Sequence, residues 1–415
     1  MAKPQTLLPW LLGGVIAVAG ILQGLHWRSS GNSADLAELE NQLRITAEEN
    51  EMLRRENESL RSLAQGGGEL AVPQEFIDRA EKEFGLRFLS SPVVHRLAGE
   101  ELRGRIMAAI ESRYGPSGID DRQEAYQLIG WLRPDDDLLS QLAAVRAVGA
   151  LAWFDDVTGE GWVTDRFDLK NIPDQAALVR LLARVLLHQH FPPAPAYPGD
   201  DAARAREALH QGAAAGSEAR FYAMSARTIG FMPMKENTEA VQLLASLSPF
   251  LQGLTTFPAS EGKGLADTLH VQGNDKFQAA FHNPPQTTRA IFFPGEPAAE
   301  PKALDLPAVP EEPFLTESAG LLGLRLWLEP LGAAEIAACW KNDRYVLFPD
   351  GEASSAVLWD IELENAGAAD KLQAIAAVIA ARQEKRHVKV SRPSPTRVRF
   401  LNTFEAATAA SLGSK

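Results

Sequence analysis

Three histidines lie close together in the chain: His188, His190 and His210. Neutral imidazoles bind zinc, so a metal site built from these three is one reading. Residues i and i+2 of a helix point about 200° apart, so His188 and His190 can share a site only if the helix ends between them. Pro192 makes such an end expected. The plainer reading is one histidine held at a helix C-terminus by the dipole and another on the surface. Just upstream, Arg180 and Arg184 stand one helical turn apart. Two guanidiniums so spaced suit an anion such as a phosphate or a carboxylate. Alternatively they pair with acids, Asp174 or Glu218 being candidates. Glu207 and Glu218 are available carboxylates, but no spacing makes them an acid/base pair. Gly262-Lys263-Gly264 lacks the spacing of a phosphate loop, and no G-x-S-x-G nucleophile turn occurs. The single Cys339 excludes an intramolecular disulfide and a multi-cysteine zinc site.

The elements that must position these residues follow from periodicity. Ala177, Leu178, Leu181, Leu182, Val185 and Leu186 recur at helical spacing and predict a long apolar helix from Asp174 to His190, ended by Pro192 and Pro193. A second helix is predicted from Asp201 to about Ala226. Before them, Leu151 to Val163 reads as a β-hairpin with a Thr158-Gly159 turn. Further helices are predicted over Gln74–Phe84, Glu100–Tyr114, Arg122–Trp131 and Leu138–Gly149, with a short strand beginning between Pro92 and His95. After a Pro- and Ala-rich stretch, strands are predicted at Gly323–Glu329, Arg344–Pro349 and Val357–Leu363. A helix follows at Asp370–Gln383, then two strands between Val388 and Phe404.

A hairpin, a buried helix and a second helix in that order form the core layout of zincin peptidases. The chain resembles a bacterial group of predicted secreted or membrane-anchored zinc metallopeptidases whose first helix reads H-E-x-T-H-A-x-Q-D-Q-H-F. The same window here runs from Arg180 to Phe191 and keeps Gln189, His190 and Phe191. The resemblance places the two zinc ligands on Arg180 and Arg184, the catalytic base on Leu181, and the third ligand, from A-L-x-E-G-x-A, on Gln211. Other islands resemble the same group: Leu128 to Leu138, Asn283 to Ala290, Ala338-Cys339-Trp340-Lys341-Asn342-Asp343-Arg344-Tyr345, and Trp359 with Ala368-Ala369-Asp370. The fold class this implies is α+β, a zincin-like domain with a small C-terminal α+β lobe. Arginine has no lone pair to give a metal and leucine cannot act as a base. The implied function is therefore that of a non-catalytic pseudo-metallopeptidase, an interaction or scaffold protein with no cofactor and an unidentified protein partner. The alternative is a hydrolase with metal ligands displaced to His188, His190 and His210, or an anion-binding pocket at the former active site.

The 415 residues carry a formal net charge of −13 and 45% hydrophobic residues. That composition is globular, and the acidic balance argues against a nucleic-acid partner. Residues 1–28 contain an uncharged stretch from Pro4 to Trp27. It is just long enough to span a bilayer, with a cleaved signal peptide ending near Ala19 as the rival reading. Residues 34–65 predict a parallel, dimeric coiled coil. Leu36, Leu43, Asn50 and Asn57 fall at one seam position and Leu39, Leu53 and Leu60 at the other. A Gly hinge is expected at 66–71, the zincin-like domain at 72–293, a Pro-rich linker at 294–313, the C-terminal lobe at 314–404 and a disordered tail at 405–415. The expected setting is a single-pass bacterial inner membrane protein with its globular part outside the cytoplasm.

Overall fold

The structure, a computed structural model, describes residues 46, 68–115, 117–193, 197–229, 238–296, 304–383 and 385–413. The expected anchor at 1–28 lies outside these residues. So does the coiled-coil seam of Leu36, Leu39, Leu43, Asn50, Leu53, Asn57 and Leu60. Among the described residues no helix is long and apolar enough to cross a membrane. The chain divides into two units, Met1–Gly66 and Gly67–Lys415. Every element from Gln74 onward belongs to the second unit.

The first part of that unit is mostly helical: α1 (Gln74–Phe84), β1 (Val94–Leu97), α2 (Gly99–Tyr114), α3 (Gly118–Ile129), α4 (Leu138–Ala147), β2 (Ala152–Phe154), β3 (Gly161–Thr164), α5 (Ile172–His190) and α6 (Asp200–Ile229). Then come α7 (Thr238–Ser246), α8 (Pro249–Phe257), a π-helical turn at Pro258–Gly262, α9 (Lys263–Val271), α10 (Asn274–His282) and α11 (Arg289–Phe292). The rest contains β4 (Leu315–Glu317), α12 (Gly320–Leu328), β5 (Trp340–Pro349), β6 (Ser355–Leu363), α13 (Ala366–Ala380), β7 (His387–Ser394), β8 (Arg397–Thr403) and α14 (Ala406–Leu412). The fold is α+β.

The strands form two sheets. The small one has the order β1-β3-β2. Here β2 and β3 are the expected hairpin, with Trp153 opposite Trp162, and β1 runs parallel to β3. The large sheet has the order β4-β5-β6-β8-β7 and is antiparallel throughout. Period-two alternation divides its faces. Tyr345, Leu347, Val357, Trp359 and Phe400 enter the main core. Val346, Phe348, Leu358 and Leu401 form a second cluster on the other side. The main core runs without a break from Leu70 to Phe400, so residues 72–293 and 314–404 share one apolar interior.

Helix α5 forms where its pattern predicts. Pro173 sits in its first turn, where a missing N–H costs nothing. Leu178, Leu181, Leu182, Val185 and Leu186 are buried, and the helix ends before Pro192. It packs along α6.

Three expectations fail. Gly323–Glu329 is not a strand but lies mostly within α12, whose residues Gly320 to Leu324 and Leu326 to Leu328 are all buried. A short run apolar on every side carries no periodicity to separate a buried strand from a buried helix. The tail is helical from Ala406 to Leu412, with Ala409 and Leu412 buried; Leu412 supplies an apolar anchor to the second cluster. Within the Pro-rich stretch, Leu304 is buried and Leu306 and Val309 cover that same cluster. The expected Gly hinge is a separate case: Gly66 and Gly67 lie outside the described residues, and from Gly68 the chain is tied to β1, Arg96 N–H donating to Gly68 O at 3.1 Å and Leu70 N–H to Val94 O at 2.7 Å.

Candidate functional site

Helices α2, α4, α5, α6 and α8 and strand β2 enclose a cavity of about 590 Å³. Arg180, Leu181, Arg184 and Gln211, the four positions singled out by sequence, all line it. Arg180 and Arg184 come from consecutive turns of α5, and Gln211 faces them from α6. Three further arginines also line the cavity: Arg113 from α2, Arg146 from α4 and Arg204 from α6.

Four of these five guanidiniums have carboxylate partners. Arg113 pairs with Asp156, and with Glu207 at 3.4 Å. Arg146 reaches Glu207 at 3.5 Å, Arg180 reaches Glu218 at 3.3 Å, and Arg204 reaches Asp200 at 3.4 Å. Of the two candidate partners, Glu218 takes Arg180. Asp174 instead accepts the Asp168 N–H at 2.6 Å near the start of α5. Arg184 makes no hydrogen bond or ion pair with any described residue. Its guanidinium carbon lies 4.9 Å from the Phe154 ring centroid, a cation–π contact.

The charges respond to this crowding. Burial, Arg180, Arg113 and Arg146 push the Arg184 guanidinium down to about 9, against the pull of Glu207, and it stays cationic at neutral pH. Burial would raise Glu207, but Arg113, Arg146, Arg184 and Arg204 outweigh it and hold the carboxyl below its ordinary range. The Glu207 oxygens face Arg113, Arg146 and the Gln211 amide, the last at 2.6 Å. Burial raises the Glu218 carboxyl, with Arg180 opposing.

A second cavity, of about 450 Å³, adjoins the first and shares Arg113, Phe154, Asp156, Arg184 and Glu207 with it. His188 and His210 line it. The structure does not bring His190 to them: its Nε2 lies 2.6 Å from the Arg87 carbonyl oxygen. Among the described residues no group of three His, Cys, Asp or Glu side chains is placed to hold a metal ion. Burial and Arg184 depress both cavity histidines, His210 to about 3, and both are mainly neutral at pH 7. At the positions of the implied zinc site, the donor set of two guanidiniums, a leucine and an amide does not fit zinc, which takes imidazole, thiolate or carboxylate.

The scattered sequence islands meet in space. Asp343 accepts from Trp340 Nε1 at 2.9 Å, from Trp359 Nε1 at 2.8 Å, and from the Ala319 and Gly320 N–H groups at the start of α12. Arg289 donates to the Ala338 and Trp340 carbonyls at 2.7 and 2.9 Å. Trp131 packs 5.2 Å from Trp359, centroid to centroid. Asp137 caps α4 through the Ser140 N–H at 2.8 Å. The start of α6, which carries Glu207 and Gln211, is fixed by buried Asp200. That carboxylate accepts from Arg122 at 2.8 Å, Tyr126 at 2.8 Å, Tyr197 at 2.7 Å and Tyr345 at 3.2 Å.

Sequence reasoning passed over Arg113, Arg146, Arg204 and Phe154. They come from three helices and a strand, with no shared spacing to mark them. Comparisons of the chain with protein-family models, with curated proteins and with solved structures return no match.

Proposed function

We propose that this chain is a membrane-anchored, non-catalytic pseudo-metallopeptidase with a zincin-like domain, acting as an interaction protein through its cleft. Its amino-terminal segment supplies the anchor and a parallel coiled-coil dimer, and the globular part faces away from the cytoplasm of a bacterial cell. The observation that carries the reading is the convergence of Arg180, Leu181, Arg184 and Gln211 on one cavity. These are the positions where the resemblance puts two ligands, a base and a third ligand. Guanidiniums in place of imidazoles repel a divalent cation and offer it no lone pair. A leucine cannot take a proton from water. The cavity of about 590 Å³ offers room for a ligand without the groups for zinc hydrolysis, which suits binding without turnover.

The test is elemental analysis of the full-length chain after exposure to zinc and removal of the excess, with hydrolysis of an unfolded polypeptide measured on the same preparation. The expected result is no retained zinc and no cleavage. One zinc per chain with chelator-sensitive cleavage overturns the proposal.

A further inference from the structure

Arg184 stands in the wall between the two cavities, and Arg206 lines the second one. Neither has a carboxylate partner among the described residues. Arg206 donates from Nη2 to the Gln286 side-chain oxygen at 3.0 Å, and its buried Nε has no partner among the described residues. His188 and His210 also open onto this cavity, and neither ring makes a hydrogen bond with a described residue. His210 is fixed by an edge-on contact with Phe281, 4.9 Å between centroids. His188 lies 5.5 Å from Phe154. Much of the remaining wall is apolar, Phe154, Phe191, Phe281, Pro192 and Pro193 among others, and the two carboxylates in it, Asp156 and Glu207, both pair with Arg113.

We infer that this cavity binds a phosphate monoester with a flat apolar body, its phosphoryl group on Arg184 and Arg206 and its body against Phe154, Phe191 and Phe281. Two guanidiniums without an ion-pair partner among the described residues match a group that carries about −1.5 to −2 at neutral pH. Two planar forks and two neutral imidazoles supply more donors than the two oxygens of a carboxylate can take, and suit the three free oxygens of a phosphoryl group. The aromatic walls provide the apolar burial that a bare ion would leave unused. Glu207 in the shared wall is already engaged by Arg113 and Arg146, so it leaves Arg184 free to meet a ligand. The inference rests on the cleft being a binding site rather than a hydrolytic one.

The experiment is calorimetric titration of the full-length chain with phenyl phosphate, inorganic phosphate and phenylacetate, repeated on Arg206→Gln and Arg184→Gln. Phenyl phosphate is expected to bind at least tenfold more tightly than either comparator, and each substitution to weaken it tenfold or more. Arg206→Gln alters a side chain at the cavity rim and reports even if Arg184→Gln disturbs the fold. Equal affinity for phenylacetate overturns the phosphoryl assignment. Equal affinity for inorganic phosphate overturns the apolar body, and no binding overturns the site. Zinc content and cleavage measured on the same preparation separate these failures from a failure of the non-catalytic reading.

Discussion

Gly212 of α6 and Gly262 of the π-helical turn meet backbone to backbone. A Cβ on Gly212 would overlap the Gly262 carbonyl carbon, and a Cβ on Gly262 would overlap the Ala208 carbonyl oxygen. The π turn can approach α6 only because both residues lack a side chain. This contact sets Gln211, one residue before Gly212, against the cavity. Gly212→Ala must push rigid backbone apart on both sides. The expected loss is about 3 kcal/mol, the upper part of the overpacking range, read as a lower midpoint in chemical unfolding. An unchanged midpoint would show that the two segments are not in backbone contact.

Asp343 gathers five donors. Besides the two indoles and two N–H groups, Ser318 Oγ donates to it at 2.8 Å. Asp343→Asn replaces an acceptor oxygen by an amide that turns its hydrogens toward donors. Losing one charge-assisted bond and leaving a buried donor unmet costs about 3 kcal/mol together. The expected outcome is that loss of stability, with Asp343→Ala at least as severe. A neutral Asp343→Asn would mean that these five hydrogen bonds do not contribute to stability.

Asp201 gives the fold a pH dependence of definite sign. It is fully buried against Gly320, whose positive φ of 70° and lack of a side chain make room for the carboxylate. It accepts from Thr288 N–H at 2.9 Å and Thr288 Oγ1 at 2.6 Å. Burial pushes it up from 3.8 to about 7, with Asp343 adding to the shift. The folded protein therefore holds this proton where the unfolded chain has released it. Stability from this group is complete below about pH 4 and lost as pH rises to about 7. Burial and the Asp200 charge raise Glu317 in the same direction. Asp201→Asn keeps the oxygen that Thr288 reaches and cannot ionise. Its unfolding free energy should fall less steeply across that window, and at pH 8 it should exceed the parent by up to about 4 kcal/mol, at 1.36 kcal/mol per unit. Parallel profiles for the two proteins would rule out Asp201 as the source.

The helices were legible because their apolar residues recur with the right period and their ends carry breakers. Gln74 to Phe84 has Pro73 before it and Gly85 after it, and its helix occupies those eleven residues. The hairpin at Trp153 and Trp162 was legible for the same kind of reason. Helix α12 was not, because burial on every side erases periodicity. The tail was not, because a run of Ala, Ser and Thr shows its docking only through Ala409 and Leu412, the residues that it buries. At the site, a spacing of four placed Arg180 and Arg184 on one face in advance. The separation of their roles was out of reach, since it depends on Glu218 lying opposite Arg180 and Phe154 lying under Arg184. Residues from different elements converge through tertiary packing; the sequence offered Glu218 only as one of two candidate partners and did not offer Phe154 at all.

The zincin-like reading can be tested by putting the implied groups back. Arg180, Leu181, Arg184 and Gln211 already line one cavity. Arg180→His and Arg184→His would present two imidazoles from consecutive turns, Leu181→Glu would add a base beside the first, and Gln211→Glu would add a third ligand from α6. Leu181 rests on Gly161 of β3, where a Cβ would already touch its side chain at 3.3 Å, so the new glutamate enters a tight wall. Removing both guanidiniums also relieves the repulsion that now opposes a divalent cation. The fourfold variant is expected to retain one zinc per chain where the parent retains none. Its unfolding free energy should rise by about 2.7 kcal/mol at a zinc concentration one hundred times its dissociation constant. The same variant with Gln211 left in place lacks the third ligand and should lose zinc on dialysis. Failure of the fourfold variant to hold zinc, while it remains folded by circular dichroism, would mean that the four positions do not have the geometry of a peptidase centre. The likeness of the window from Arg180 to Phe191 would then be one of sequence alone.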